Sequence, residues 1–409
     1  MTLFWRAAWI LAVLCCIGSC TPQDDRTTVT FWHFWSEPAQ RTALRTVIDS
    51  FERANPTLRV ELTELSWADG RSKLQLAFNA GTAPDVVHLG AEWIAAFADA
   101  GVLSPFASTD IALNGLTFRG IRSAMWKASL WAIPWTLTTR LLFIESTALD
   151  HDGSTLEEYA RAQHDPSHGR YGFGVSANET HNVFKRVVPF LWAAGSKAFQ
   201  TMPYSASIDS AAISGLEAYL RLAKYGVQEP SRQLDERFLR GEVAIWMTGS
   251  WIADAMLTRR TMRKQFRPEP VTLGQPLDPK SVRAPLLLSG DYLAISARAT
   301  HRADATKLIA FLSNHSAWFC SLVPDAGVPA FKRQLEVLTN DMTDRWDPYA
   351  MFALSIKDSE TESIAPSPLF LDAEALAERR FMEAIYGTST ARAAIDALRA
   401  DLIALERSR

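Results

Sequence analysis

The sequence predicts an α/β protein of two lobes built on doubly wound sheets, and three observations lead there. Strand-like apolar runs alternate with helical patterns from Val29 onward. Gly or Asn-Pro closes helix after helix, at Asn55-Pro56, Gly81, Gly101, Gly195, Gly226 and Gly241. A chain of 409 residues is also too long for one compact core.

Val29–Phe34 is rich in β-branched and aromatic residues and reads as a strand buried on both faces. Ser36 is placed to cap the helix that follows, Pro38 suits its first turn, and Leu44, Val47, Ile48 and Phe51 give it an apolar face. Leu58, Val60 and Leu62 alternate as a second strand. A helix follows over about Lys73–Ala80, then a third strand at Val86–Leu89 and a helix at Ala91–Ala100. Such alternation implies parallel pairing. Leu130–Ile144 is strand-like and broken by Pro134, and a first crossing between lobes is expected at Thr136–Thr139.

In the second lobe, Tyr171–Val175 and Val243–Met247 read as strands. Val183–Ala194, Ile213–Tyr225, Leu234–Arg240 and Trp251–Leu257 read as helices, and Arg267–Pro285 as a surface loop. Tyr292–Ser296 and Ala303–Ser313 look like one more unit of the first lobe, and helices finish the chain. Ala391, Ile395, Leu398, Leu402 and Leu405 form an apolar stripe that suits packing on its own lobe better than a coiled-coil seam. The expected lobes are residues 29–136 with 290–328, and 139–286 with 333–409.

Residues 1–20 read as an export signal: Arg6, the apolar run Ala7–Ile17, too short to span a bilayer, and small Gly18-Ser19 before Cys20. Ile17-Gly18-Ser19-Cys20 resembles a bacterial lipobox, which implies lipidation of Cys20; cleavage by ordinary signal peptidase is the alternative. Residues 21–28 then form a tether. The expected location is the periplasm or cell envelope, with the membrane touched through the lipid anchor alone. Cys15 and Cys16 fall within the signal, so no intrachain disulfide is expected, and Cys320 reads as a small buried hydrophobe. A net charge of −3 gives no electrostatic case for nucleic acid. Of the 14 tryptophans, 12 follow Cys20, and several stand at predicted strand ends, where core packing explains them less well.

Several stretches together resemble the extracellular solute-binding proteins of ATP-driven importers, in the family-1 group of maltose-binding-like and glycerol-phosphate-binding-like receptors. They are TFWHFWSEP with FERANPTLRVEL, FNAGTAPDVVHLGAEWIAAFADAGVLSPF, IPWTLTTRLLF, FLRGEVAIWMTGSW, YLAISARATHRADATKLIAFLS and AGVPAF at 326–331. The resemblance spans about Val29–Phe331 and implies a type II periplasmic-binding fold. Two discontinuous α/β lobes would be joined by hinge strands, with an interlobe cleft between them. The chain departs from the group at Phe143-Ile144-Glu145, where many members carry Tyr-Asn, and at Ser289-Gly290-Asp291-Tyr292, where Gly-Gly is common.

A sugar ring needs a flat apolar platform and in-plane acceptors and donors. Trp35, Ser36 and Glu37 supply these at the end of the first strand; the competing reading is a capped helix start with a core indole. Glu92 and Trp93 follow the third strand, where the family places ligand contacts, and a Glu that merely complements the helix dipole is the alternative. Trp135 and Arg140 flank the first crossing, with an interlobe salt bridge as the plain role for Arg140. Gly249-Ser250-Trp251 matches the family's Gly-x-Trp at a helix start, and Gly290-Asp291 borders the second crossing, where a simple turn is the alternative. Trp192 is better read as core. His164-Asp165-Pro166-Ser167-His168 reads as a solvated loop, and neither a metal nor a cofactor is expected.

The expected function is capture of a carbohydrate or polyol in the cleft by a monomeric, lipid-anchored receptor. It would close by hinge rotation and deliver its solute to a membrane permease. Three rivals remain: a secreted glycosidase using Glu37, Glu92 and Asp291, the same fold binding a glycerol phosphate-type ligand, and a receptor reporting to a membrane sensor.

Overall fold

The computed structural model describes residues 24–67, 69–107, 110, 118–145, 155–177, 179, 181–258, 266–273, 275, 281–340 and 347–408. Residues 1–20, read above as an export signal ending at Cys20, lie outside the described residues. Among the described residues, no helix is long and apolar enough to cross a membrane.

The first lobe begins with strand β1 (Thr27–His33), helix α1 (Pro38–Ala54) and strand β2 (Leu58–Glu64). β1 starts two residues earlier than its apolar run suggests, because Thr27 already pairs with Leu58 in a parallel ladder. Glu37, not Ser36, caps α1: its N–H donates to Gln40 Oε1 at 3.2 Å, and Pro38 follows in the first turn. Leu44, Val47, Ile48 and Phe51 are buried against the sheet as their spacing predicts. Strands β3 (Val86–Gly90) and β4 (Ile133–Thr138) complete this pass.

The chain then leaves for the second lobe. Thr139 is buried, and its hydroxyl donates to the Leu287 carbonyl at 3.0 Å, tying the outgoing segment to the returning one. Strand β5 (Arg140–Glu145), β6 (Phe173–Ser176), helix α2 (Asn182–Ala193), β7 (Gly226–Glu229), helix α3 (Ser231–Leu239), β8 (Ile245–Gly249) and β9 (Phe266–Glu269) follow. Strand β10 (Ser289–Ser296) re-enters the first sheet, followed by helix α4 (Ser316–Leu322) and strand β11 (Val328–Pro329). Helices α5 (Phe370–Ile385) and α6 (Ala391–Arg407) close the chain on the second lobe.

The first sheet runs β11-β4-β10-β3-β1-β2. β1 is parallel to β2 and β3, whereas β10 is antiparallel to both β3 and β4. The sheet is therefore mixed, not purely parallel: a strand returning from the other lobe enters from the opposite end. In the second lobe β6 and β7 are parallel, β5 lies antiparallel between β8 and β9, and a parallel bridge between Tyr171 and Val243 links the two groups. β7 and β9 fall in stretches expected to be a helix end and a loop. Gly226 and Pro268 read locally as breakers, but β9 is an edge strand, where proline is tolerated.

Each lobe has its own core. Phe31, Phe51, Trp135, Leu293 and Phe319 belong to the first; Phe184, Phe190, Phe370, Phe381 and the Ile395–Leu398–Leu402 stripe belong to the second. Burying one such side chain contributes roughly 1.5–3 kcal/mol, so the α6 stripe is packing on its own lobe. Cys320 is wholly buried, as its apolar surroundings suggested.

Candidate functional site

The two sheets bring the carboxyl ends of their parallel strands toward the space between the lobes. On the first-lobe side, Trp67 stands just beyond β2. It is 48% exposed, stacks on Phe34 at 4.3 Å, lies 5.5 Å from Trp93, and a Cβ built at Gly90 would sit 3.8 Å from its ring. Trp35, Trp93 and Trp135 are buried instead. His88, Trp135 and Phe319 surround the Trp35 ring at 5.2, 6.0 and 5.6 Å, and Trp135, with no exposed surface, stacks on Phe319 at 4.8 Å. These three indoles pack within the core of the first lobe.

Behind them runs a buried polar relay. The Phe34 N–H donates to His88 Nδ1 at 3.1 Å, which leaves Nε2–H to donate to Asp291 Oδ1 at 2.8 Å. The Thr136 hydroxyl donates to Asp291 Oδ2 at 3.1 Å. Both oxygens of Asp291 are thus engaged in tying β3, β4 and β10 together. At Gly290 a Cβ would lie 2.2 Å from the Thr136 carbonyl oxygen, so glycine is needed for the close approach of two strands.

On the second-lobe side, Trp251 is 37% exposed, with Gly249 beneath it: a Cβ at Gly249 would meet the Trp251 ring at 2.0 Å. Its Nε1–H donates to Asp235 Oδ2 at 2.9 Å, while Oδ1 of the same carboxylate accepts from Trp246 Nε1 and Thr248 Oγ1, both at 2.7 Å. Burial pushes the Asp235 carboxyl up, and these donors oppose the shift. Arg140 lies over the Trp251 ring at 5.1 Å and donates from Nη2 to Asn182 Oδ1 at 3.0 Å. Burial, reinforced by the charge of Arg186, pulls the Arg140 guanidinium down to about 9.

The walls meet at Glu92. Its Oε1 is 2.6 Å from Nζ of Lys185 on α2 and accepts from Ser289 Oγ at 3.0 Å. Burial alone would raise this carboxyl, but the Lys185 charge and hydrogen bond, with the Glu92 backbone and Ser289, outweigh it and hold it at about 2. A small cavity of about 20 Å³ beside the pair is lined by Ala91 and Ser123 from one lobe and Phe184 and Ser367 from the other, with Leu287 and Leu288 at the junction. Further contacts cross between lobes: Ser250 Oγ donates to the Asp325 carbonyl at 3.4 Å, and Arg122 donates to Glu362 and to the Gln200 carbonyl, both at 2.6 Å. The lobes are therefore in contact, in a closed arrangement.

Of the residues singled out from sequence, Glu92, Arg140, Gly249, Ser250 and Trp251 border the interlobe space. Ser36 and the exposed Glu37 stand at the start of α1, and Trp192 is core, donating to the Ala198 carbonyl at 2.8 Å. Trp67, Asn182, Lys185, Arg186 and Asp235 were missed. Trp67 follows a strand just as Trp35 does, so the same signal was available; the others lie on helices whose cleft-facing side only the packing reveals.

Residues 46–318 match the profile of bacterial extracellular solute-binding proteins. A search of curated proteins finds no match. Among solved structures, the GacH receptor of Streptomyces glaucescens, described in complex with acarbose, is 17% identical with a TM-score of 0.77, covering 93% of this chain and 98% of its own. A solute-binding protein from Thermotoga lettingae, bound with alpha-D-tagatose, is 20% identical with a TM-score of 0.76, covering 93% and 99%. The sugar-binding protein MalE from Xanthomonas citri is 19% identical with a TM-score of 0.73, covering 94% and 98%. These likenesses establish the two-lobe type II fold, and with two thirds of its length inside the profile, the chain belongs to the bacterial extracellular solute-binding protein family.

Proposed function

We propose that the chain captures a carbohydrate or polyol between its lobes and delivers it to an ATP-driven importer. One observation carries this reading: the polar cluster of Glu92, Lys185, Arg140 and Asn182 lies at the interlobe face, with Trp67 and Trp251, the exposed tryptophans among the described residues, at its two walls. Indoles accept the C–H face of a sugar ring, and charged groups bond its hydroxyls. Closure is favoured because only the closed form lets both walls touch the solute. The sugar ligands named for the structural neighbours are consistent with this chemistry. Lipidation at Cys20 would hold the receptor at the membrane beside its permease. A glycosidase finds less support, since two of its three candidate carboxyls, Glu92 and Asp291, are committed to protein partners.

The test is a thermal-shift screen of the mature chain against sugars and polyols, followed by titration calorimetry. A ligand binding on the order of micromolar, about −8 kcal/mol, is expected, and at one hundred times its Kd it stabilises the fold by about 2.7 kcal/mol. Release of product from oligosaccharides would refute the receptor reading in favour of an enzyme.

A further inference from the structure

Two guanidinium groups in the second-lobe wall, Arg186 buried and Arg140 partly buried, have no acid in hydrogen-bond contact among the described residues. Arg186 is 1% exposed; its Nε donates to the Met247 carbonyl at 3.1 Å and its Nη1 to the Asn182 carbonyl at 3.2 Å, while Nη2 has no partner among the described residues. The Trp246 ring covers its face at 4.4 Å. Arg140 shares Asn182 with it through the side-chain oxygen, and its own Nε is buried and unpartnered among the described residues. The carboxylates nearby are occupied by neutral donors. Glu179 accepts from the Ser231 N–H at 2.9 Å, the Ser231 hydroxyl and Asn182 Nδ2 at 2.7 Å, and Asp235 holds two indoles and a threonine hydroxyl. Glu92 is paired with Lys185. These acids soften the positive field, but none hydrogen-bonds to either guanidinium.

A buried N–H without an acceptor pays its full desolvation cost, and two neighbouring cations add mutual repulsion. A hydroxyl would satisfy the hydrogen bond and leave the charge; an oxyanion answers both, and guanidinium geometry matches carboxylate and phosphate oxygens. Resting on the carbohydrate reading of the cleft, we propose that the second-lobe wall holds a subsite for an acidic group carried by the sugar, a carboxylate or a phosphate ester, read by Arg140 and Arg186. Trp251, on which Arg140 lies, then takes the ring face beside that group.

The experiment is calorimetric titration of the mature chain, at constant ionic strength, with glucose, glucuronate and glucose 1-phosphate, and with galactose, galacturonate and galactose 1-phosphate. An acidic member is expected to bind at least about tenfold tighter than its neutral partner, and whichever acid wins identifies carboxylate or phosphate as the group read. Arg140→Gln should weaken the acid by roughly 10- to 100-fold and the neutral sugar by far less. Arg186→Gln should do the same provided its melting curve stays cooperative; Arg140→Gln carries the test if it does not. A neutral sugar that binds as tightly as its acid overturns the subsite and leaves the carbohydrate reading standing. Silence across both series overturns both readings. An acid preference that survives Arg140→Gln overturns the assignment of these residues.

Discussion

Lys185→Met is expected to open the ligand-free protein. The Lys185 ammonium and the Glu92 carboxylate are 2.6 Å apart, with side chains only 17% and 13% exposed, and they belong to different lobes. Burial pushes Glu92 up, yet Lys185, the Glu92 backbone and Ser289 together bring it from 4.5 down to about 2. That displacement corresponds to about 3 kcal/mol of preference for the charged carboxylate. Lys185 supplies the two largest favourable contributions, and a hydrogen bond between charged groups contributes roughly 1.5–3 kcal/mol, a factor of about 10–150 in the closed-to-open ratio. Fluorescent labels at Leu76→Cys and Met202→Cys, one exposed site on each lobe, would report that ratio by energy transfer, since Cys320 is too buried to label.

The pH dependence has a definite sign. Because the carboxyl is held below its ordinary value in the closed form, its contribution to closure is complete above about 4.5 and is lost as pH falls from there toward about 2. Acid should therefore open the wild type, and Lys185→Met should lack that transition. Glu92→Gln in the Lys185→Met background should add little. If Lys185→Met leaves the distance distribution and its acid response unchanged, the bridge does not hold the lobes together and the reasoning fails.

Trp251→Ala should cost about tenfold or more in sugar affinity while shifting the melting temperature little, whereas Trp135→Ala, at a wholly buried ring, should cost about 3–5 kcal/mol of stability in a denaturant melt. Gly290→Ala should destabilise by roughly 1–3 kcal/mol in the same melt, because its new methyl meets the Thr136 carbonyl and one of the two strands must shift. His181, at the position preceding α2, is held above its ordinary 6.5 by its hydrogen bond to Glu374, opposed by burial. Its contribution is complete below 6.5 and is lost as pH rises through its folded value, so wild type should lose melting temperature on that rise while His181→Gln does not.

The order of strands and helices in the first lobe was legible in the sequence, because hydrophobic period, proline placement and glycine stops act within a few residues of one another. Leu44, Val47, Ile48 and Phe51 announce the buried face of α1 with no help from elsewhere. The Gly-Ser-Trp run after β8 was legible for a similar reason: Gly249 leaves room for the Trp251 ring, a relation between neighbours. β9 was not legible, since Pro268 reads as a breaker until β5 lies beside it.

By itself the sequence determined the two-lobe α/β class and the placing of indoles and acids at strand ends, since both follow from local pattern. Only the tertiary structure decided which of them meet the interlobe space. Trp35 and Trp67 follow their strands alike, but Phe319, from a distant helix, closes over the first and leaves the second open. Glu92 finds Lys185, and Arg140 comes to share Asn182 with Arg186, because the chain returns to each sheet from the other lobe. Contacts of that kind depend on how the lobes are threaded, and threading leaves no trace in a local window of residues.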